Sequence, residues 1–244
     1  LQTAYSVNFV AKVGEPLGIF QVPAIATVQD ENSPYYGKTI VDANGIPTTS
    51  NSEMKTIGSS SPDFTMGFNT SLKYKGFTLS AVADWRKGGY MYSYTAQLMH
   101  FVGNTTRSVF NNRDPFVVPN SVVALPGGGY AENNNPVTSD NMSNYYSDSY
   151  SRSQFENFVI PKGYLKLREL VLSYSLPKAW ISKLGIRQLD VSFIGRNLFM
   201  WTPKANNYVD PEITNYGNDI TSELGEFAAL PSTRNIGGGI KVVF

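Results

Sequence analysis

Residues 62–89, PDFTMGFNTSLKYKGFTLSAVADWRKGG, can be read by parity. Between 64 and 74 the even positions hold Phe64, Met66, Phe68, Thr70, Leu72 and Tyr74, and the odd ones Thr65, Gly67, Asn69, Ser71 and Lys73. A period of two sends successive side chains to opposite faces, so this is a strand with one apolar face. Lys75-Gly76 then makes a tight connection, with a glycine free to take positive φ. The next strand sets Phe77, Leu79, Ala81, Ala83 and Trp85 against Thr78, Ser80, Val82, Asp84 and Arg86. The stretch predicts a β-hairpin with one greasy and one polar face.

The same rule extends outward less perfectly. YLKLRELVLSYSL (164–176) places Leu170, Leu172, Tyr174 and Leu176 on one face, while Lys166 and Arg168 interrupt that row nearer its start. QLDVSFIGRNLFMW (188–201) sets Leu189, Val191, Phe193 and Phe199 against Gln188, Asp190, Ser192 and Arg196, and RNIGGGIKVVF (234–244) sets Ile236, Ile240, Val242 and Phe244 against Asn235 and Lys241. A further strand is expected near 3–12.

Composition narrows the function classes. Of 244 residues only 16% are charged and the formal net charge is +1, which gives no footprint for nucleic acid. With no cysteine there are no disulfides, thiolate nucleophiles or cysteine metal sites. No window of about 18 apolar residues suits a spanning helix. The opening LQTAYSVNFVAKVG shows no signal peptide, so either one has been removed or the chain begins inside a longer one.

The connections alternate between long (14–61, 87–163, 202–233) and short (75–76, 177–187), and every long one falls on the same side. Short turns at one rim and long loops at the other fit an outer-membrane barrel. Eleven residues at about 3.3 Å each, tilted by about 40°, rise roughly 28 Å, close to the hydrocarbon thickness. Tyr74 marks the short-turn rim; Trp85, Tyr90, Tyr92, Tyr94, Tyr164 and Trp201 mark the long-loop rim, where amphipathic rings favour the interface. Periodicity alone leaves open a secreted, soluble carbohydrate-binding β-sandwich, with the apolar row inside.

Four strings carry a resemblance: TIGSSSPDFTMGFNTSLKYKGFTLSAVADWRKGG, YLKLRELVLSYSLPKAW, VSFIGRNLFMWTPKANNYVDPE and PSTRNIGGGIKVVF. They resemble the C-terminal end of SusC/RagA-type TonB-dependent transporters, and the likeness covers nearly the whole chain from about Val13, weakly across 90–150. It implies an all-β fold, an antiparallel transmembrane barrel in a Bacteroidetes-like outer membrane, of which about six C-terminal strands of about 22 lie here. Also implied are a plug absent from this chain, TonB contact through the missing N-terminal part, and a SusD-like lipoprotein lid. The expected activity is import of oligosaccharides or oligopeptides, with no bond chemistry. Gly239, Val242 and Phe244 match the terminal assembly signal of such proteins.

The remaining candidates are weighed residue by residue. SDNMSNYYSDSYSRSQFENF (139–158) mixes flat aromatics with polar groups, and Tyr145, Tyr146, Tyr150 and Arg152 suit sugar rings or peptide backbones; the same composition serves a loop that contacts a partner protein or shields the barrel mouth. Asp210-Pro211-Glu212 invites a glycosidase carboxylate pair, although Asp-Pro is ordinary turn chemistry. His100 is the single histidine and has no second ligand nearby, so a loop or rim place is expected rather than a zinc site. DANGIP (42–47) lacks a calcium ladder and reads as a tight turn. No cofactor is expected from this chain, although calcium in the complex stays possible.

Overall fold

The computed structural model describes residues 2–4, 6–146 and 152–244. They form two compact units: Leu1–Ser61 with Tyr90–Ile160 and Thr214–Ala229, and Pro62–Gly89 with Pro161–Ile213 and Leu230–Phe244. No helix among the described residues is long and apolar enough to cross a membrane.

The second unit is a five-stranded antiparallel sheet of β1 (Phe64–Tyr74), β2 (Phe77–Lys87), β3 (Tyr164–Ser175), β4 (Gln188–Trp201) and β5 (Asn235–Val243), in the order β5-β4-β3-β2-β1. Sequence neighbours pair throughout. The β1–β2 turn has φ of 45° at Lys75 and 88° at Gly76, the left-handed pair that matches strand twist. The short connections share one rim, and the chain leaves for its long excursions at the other. This sheet does not close on itself, and among the described residues nothing pairs with the outer side of β1 or β5.

Register carries the apolar row from strand to strand. Leu72 faces Leu79, which faces Leu172, which faces Phe193; the next row runs Tyr74, Phe77, Tyr174, Val191 and Ile240. These side chains are uncovered, with Leu72 63% and Ile240 71% exposed. A sandwich would bury them. The opposite rows are polar or small: Lys73, Thr78, Ser173, Ser192 and Gly239 stand in line.

The interruption at Lys166 and Arg168 is a β-bulge. Leu167 pairs with Ala83 and Glu169 with Val82, so Arg168 is an extra residue without a partner on β2. Leu165 and Leu167 thereby share the apolar face with Leu170 and Leu172 despite their opposite parity, and Lys166 stays on the polar one. Near the long-loop rim Met66, Trp85, Leu165 and Trp201 align. The rim assignments change in part. Tyr164 begins β3 at that rim but pairs with Arg86 on the polar face, and Tyr90, Tyr92 and Tyr94 belong to the first unit, where Tyr92 is fully buried and Tyr94 stacks on Phe227.

That first unit contains most of the residues expected to be long connections, with 202–213 and 230–233 the main exceptions, and they are not structureless. Ile19–Ile25 pairs antiparallel with Val7–Val10 and with Thr49–Ser59, and Phe9 packs on Phe20 with ring centroids 5.0 Å apart. The single strand expected near 3–12 is instead a hairpin of Gln2–Ala4 and Val7–Val10. Connections this long bury backbone groups that must find partners, and short strands supply them. Val22, Met91, Tyr92, Phe155 and Phe158 complete the core.

Helix α1 (Tyr94–Phe101) is fixed by a buried carboxylate. Ser93 caps it, accepting from the Ala96 amide at 3.0 Å. Glu226 accepts from the Ser93 and Thr95 hydroxyls at 2.5 and 2.7 Å, and from the Thr95 and Ala229 amides at 3.0 and 3.1 Å. Four donors and the positive helix end thus satisfy this buried carboxyl group. Gly225 makes this possible: its strand residue lies opposite Tyr92, where a Cβ would come within 1.8 Å of the Tyr92 carbonyl oxygen.

Candidate functional site

Two arrangements stand out, one in each unit. In the first, Tyr145 and Tyr146 line a cavity of about 360 Å³ together with His100, Arg107, Phe110 and Phe116. The rings pack edge to face: Tyr145 lies 5.0 Å from Tyr146 and 5.2 Å from Phe116, which lies 5.1 Å from Phe110. Phe110 and Phe116 are brought together by a sharp reversal, with φ of 49°, 54° and 65° at Asn111, Asn112 and Arg113. Three successive left-handed residues without glycine cost of order 1–3 kcal/mol each. Arg113 offsets this by donating to the carbonyls of Ser108 at 3.2 Å and Gly103 at 2.8 Å.

The polar groups of this cavity are oriented. The Tyr146 hydroxyl donates to the Arg107 carbonyl at 3.0 Å, and burial raises its pKa, with Tyr145 adding and Arg113 opposing, so the phenol stays neutral. The Arg107 guanidinium donates to the Asn157 side chain. His100 is buried in α1, not at a loop rim; its Nδ1 lies 3.2 Å from the Thr105 hydroxyl, and its ring meets Tyr146 edge-on. Tyr150 lies outside the described residues, as does the side chain of Arg152. Composition picks out Tyr145 and Tyr146, whereas Arg107, Phe110, Phe116 and Asn157 come from distant segments and carry no local signal.

In the second unit, Asp210-Pro211-Glu212 is pinned to the polar face of β3. Glu212 accepts from Lys166 Nζ at 2.6 Å, from Arg168 Nη1 at 2.7 Å and from the Tyr164 hydroxyl at 2.7 Å. Arg168 reaches back to Asp84 at 2.6 Å, and Lys166 also holds Asp210 and Ser232 at 3.2 and 3.1 Å. Lys166 is only 3% exposed at its side chain. Burial pushes the Glu212 carboxyl up, but hydrogen bonds from Arg168, Lys166 and Tyr164 outweigh it and hold the pKa at about 2. A glycosidase acid needs the opposite shift. This carboxylate is an anchor for the loop.

The other motifs resolve plainly. Asp42 Oδ1 accepts from the amides of Asn44 and Ile46 at 2.8 and 2.9 Å, closing DANGIP as a turn. Gly239 lies on the polar face beside Ser192, where a Cβ would stand 2.9 Å from the hydroxyl; Val242 and Phe244 are exposed on the last strand and just beyond it.

No protein-family model matches the chain. Among curated proteins it is 27% identical over 225 residues to TonB-dependent receptor P3 of Formosa agariphila, covering 90% of this chain and 20% of the receptor. It is 22% identical over 206 residues to TonB-dependent receptor P26 of the same organism, covering 83% and 19%. The chain thus spans about a fifth of these relatives' length. Its fold is similar to chains of the RagAB peptide importer in the closed-closed state (TM-score 0.57, 17% identity, 99% of this chain and 24% of that one). The open-open state gives a TM-score of 0.56 at 19% identity, with 100% and 24% covered. The relatives by sequence are TonB-dependent receptors and those by fold come from the RagAB peptide importer, so the resemblance carried by the four sequence strings is borne out along nearly the whole chain.

Proposed function

We propose that this chain is part of a TonB-dependent outer-membrane importer, in which the five-stranded sheet is a section of barrel wall and the other unit belongs to its external loops. The observation that carries the reading is the uncovered apolar row held in register across all five strands, between sheet edges that remain unpaired. In hydrocarbon every backbone group needs a partner, so such a sheet is stable only as part of a closed barrel. The full barrel has about 22 strands around a plug, and the rest of wall and plug belongs to the same transporter. TonB acts through a part of the polypeptide outside this segment.

In this reading a SusD-like lipoprotein closes over the loop side, and the cargo is an oligosaccharide or oligopeptide, a class that includes the peptides named for RagAB. Tyr145 and Tyr146 contact that cargo by ring stacking, with Arg107 supplying polar contact; Tyr150 and Arg152, chosen on residue type alone, are proposed as further cargo contacts. Gly239, Val242 and Phe244 serve as the assembly signal. No step breaks a bond in the cargo.

The test is uptake by cells carrying the complete receptor. Deleting its gene should abolish accumulation of labelled oligosaccharide or oligopeptide, and Tyr145→Ala with Tyr146→Ala should weaken it several-fold without lowering receptor abundance in the outer membrane. A receptor recovered in the soluble fraction without detergent would overturn the proposal.

A further inference from the structure

The rim of the sheet that bears the short connections is cationic. Lys75 in the β1–β2 turn and Lys178, Lys183 and Arg187 in the β3–β4 connection are all exposed. Neither connection, 75–76 or 176–187, contains an acidic residue, although acids and bases nearly balance over the whole chain. Among the described residues, none of the four takes part in an ion pair.

Large apolar side chains stand among these charges. The turn of helix Lys178–Ile181 buries Ile181 and leaves Trp180 67% exposed, and Leu184 just beyond is 70% exposed. An indole and a leucine left in water beside three cations gain nothing from burial. The apolar row of the sheet ends at this same rim. β3 enters it through Tyr174, whose ring packs on Phe77 at 4.5 Å, and Lys75 lies 5.2 Å from the Tyr74 ring.

We propose that this rim binds anionic phospholipid headgroups. Lys75, Lys178, Lys183 and Arg187 reach the phosphates of the leaflet on the short-turn side, while Trp180 and Leu184 seat among the glycerol and upper acyl groups. The inference rests on the barrel-wall reading, because it needs the apolar row of the sheet to lie in hydrocarbon. A lipid surface is the partner that fits: the four cations form no ion pair among the described residues, and exposed Trp180 and Leu184 stand at the rim where the apolar row of the sheet ends.

The complete receptor, reconstituted in phosphatidylcholine vesicles containing either brominated phosphatidylglycerol or brominated phosphatidylcholine, provides the test. The fluorescence lost on Trp180→Phe reports the Trp180 component, and that lost on Trp85→Phe reports the opposite rim. Trp180 should be quenched several-fold more by the anionic lipid, and joint Lys75→Gln, Lys178→Gln, Lys183→Gln and Arg187→Gln should make the two lipids equal. Quenching of Trp85 without Trp180 would overturn the proposal and leave this rim to the lumen or to another protein. Equal quenching of Trp180 by both lipids in the parent would also overturn it. If neither tryptophan is quenched, the barrel-wall reading itself fails.

Discussion

Glu212 gathers three donors from alternate positions of one strand, Tyr164, Lys166 and Arg168. Replacing it by Gln leaves Arg168 with Asp84 and Lys166 with Asp210, but removes the charge between them. Breaking a buried pair costs roughly 3–5 kcal/mol; because Glu212 is 23% exposed at its side chain, about 2 kcal/mol is expected for Glu212→Gln, read as a lowered unfolding temperature in detergent. The pH dependence has a definite sign. A carboxyl held at about 2 in the folded state, below its ordinary 4.5, contributes stability fully above about 4.5 and loses it as pH falls toward 2. Amide protection in 202–213, taken relative to the intrinsic exchange rate at each pH, should therefore fall across that window in the parent and change much less in Glu212→Gln. Sequence shows half of this site. Two cations interrupting an apolar row signal that the row shifts there, but their acidic partners lie more than forty positions away, beyond the reach of any local period.

Among the elements, the β1–β2 hairpin is the most legible because strict alternation runs through both of its strands. Leu79→Arg places a charge on the uncovered row one pleat from the aromatic line at Phe77, and about 2 kcal/mol is expected from the ~2–4 kcal/mol midplane range, whereas Ser80→Arg on the polar face should be mild. Urea titration of the receptor in vesicles would separate the two, and equal losses would reverse the face assignment. In the first unit the short strands are poorly legible, since their partners are remote and their rows brief: Gly225–Glu226 pairs with Tyr92 and Ser93 across more than a hundred residues. Gly225→Ala should detach the Glu226 cap from α1, because the added methyl collides with backbone rather than with a yielding side chain. Faster proteolysis within 214–229, with the sheet still protected, is the expected result.

For the whole molecule, the sheet length, the sidedness of its connections and the terminal strand can all be read from parity, and the resemblance supplies the rest of the wall. The aromatic cavity is the part that cannot, because a left-handed reversal and four separate segments assemble it. Removing Phe244, exposed beyond β5, should reduce the amount of receptor inserted in the outer membrane, measured by heat-modifiable mobility, while the cavity residues keep their contacts. The bulge at Arg168 sets a further condition on the length of β3. Shortening β3 by that one position would turn the strand's first half over, carrying Lys166 onto the apolar face and Leu165 and Leu167 onto the polar one. A one-codon deletion here should thus be harsher than any single substitution of Arg168, and loss or gain of a residue at this point must be matched by a second length change in the same strand.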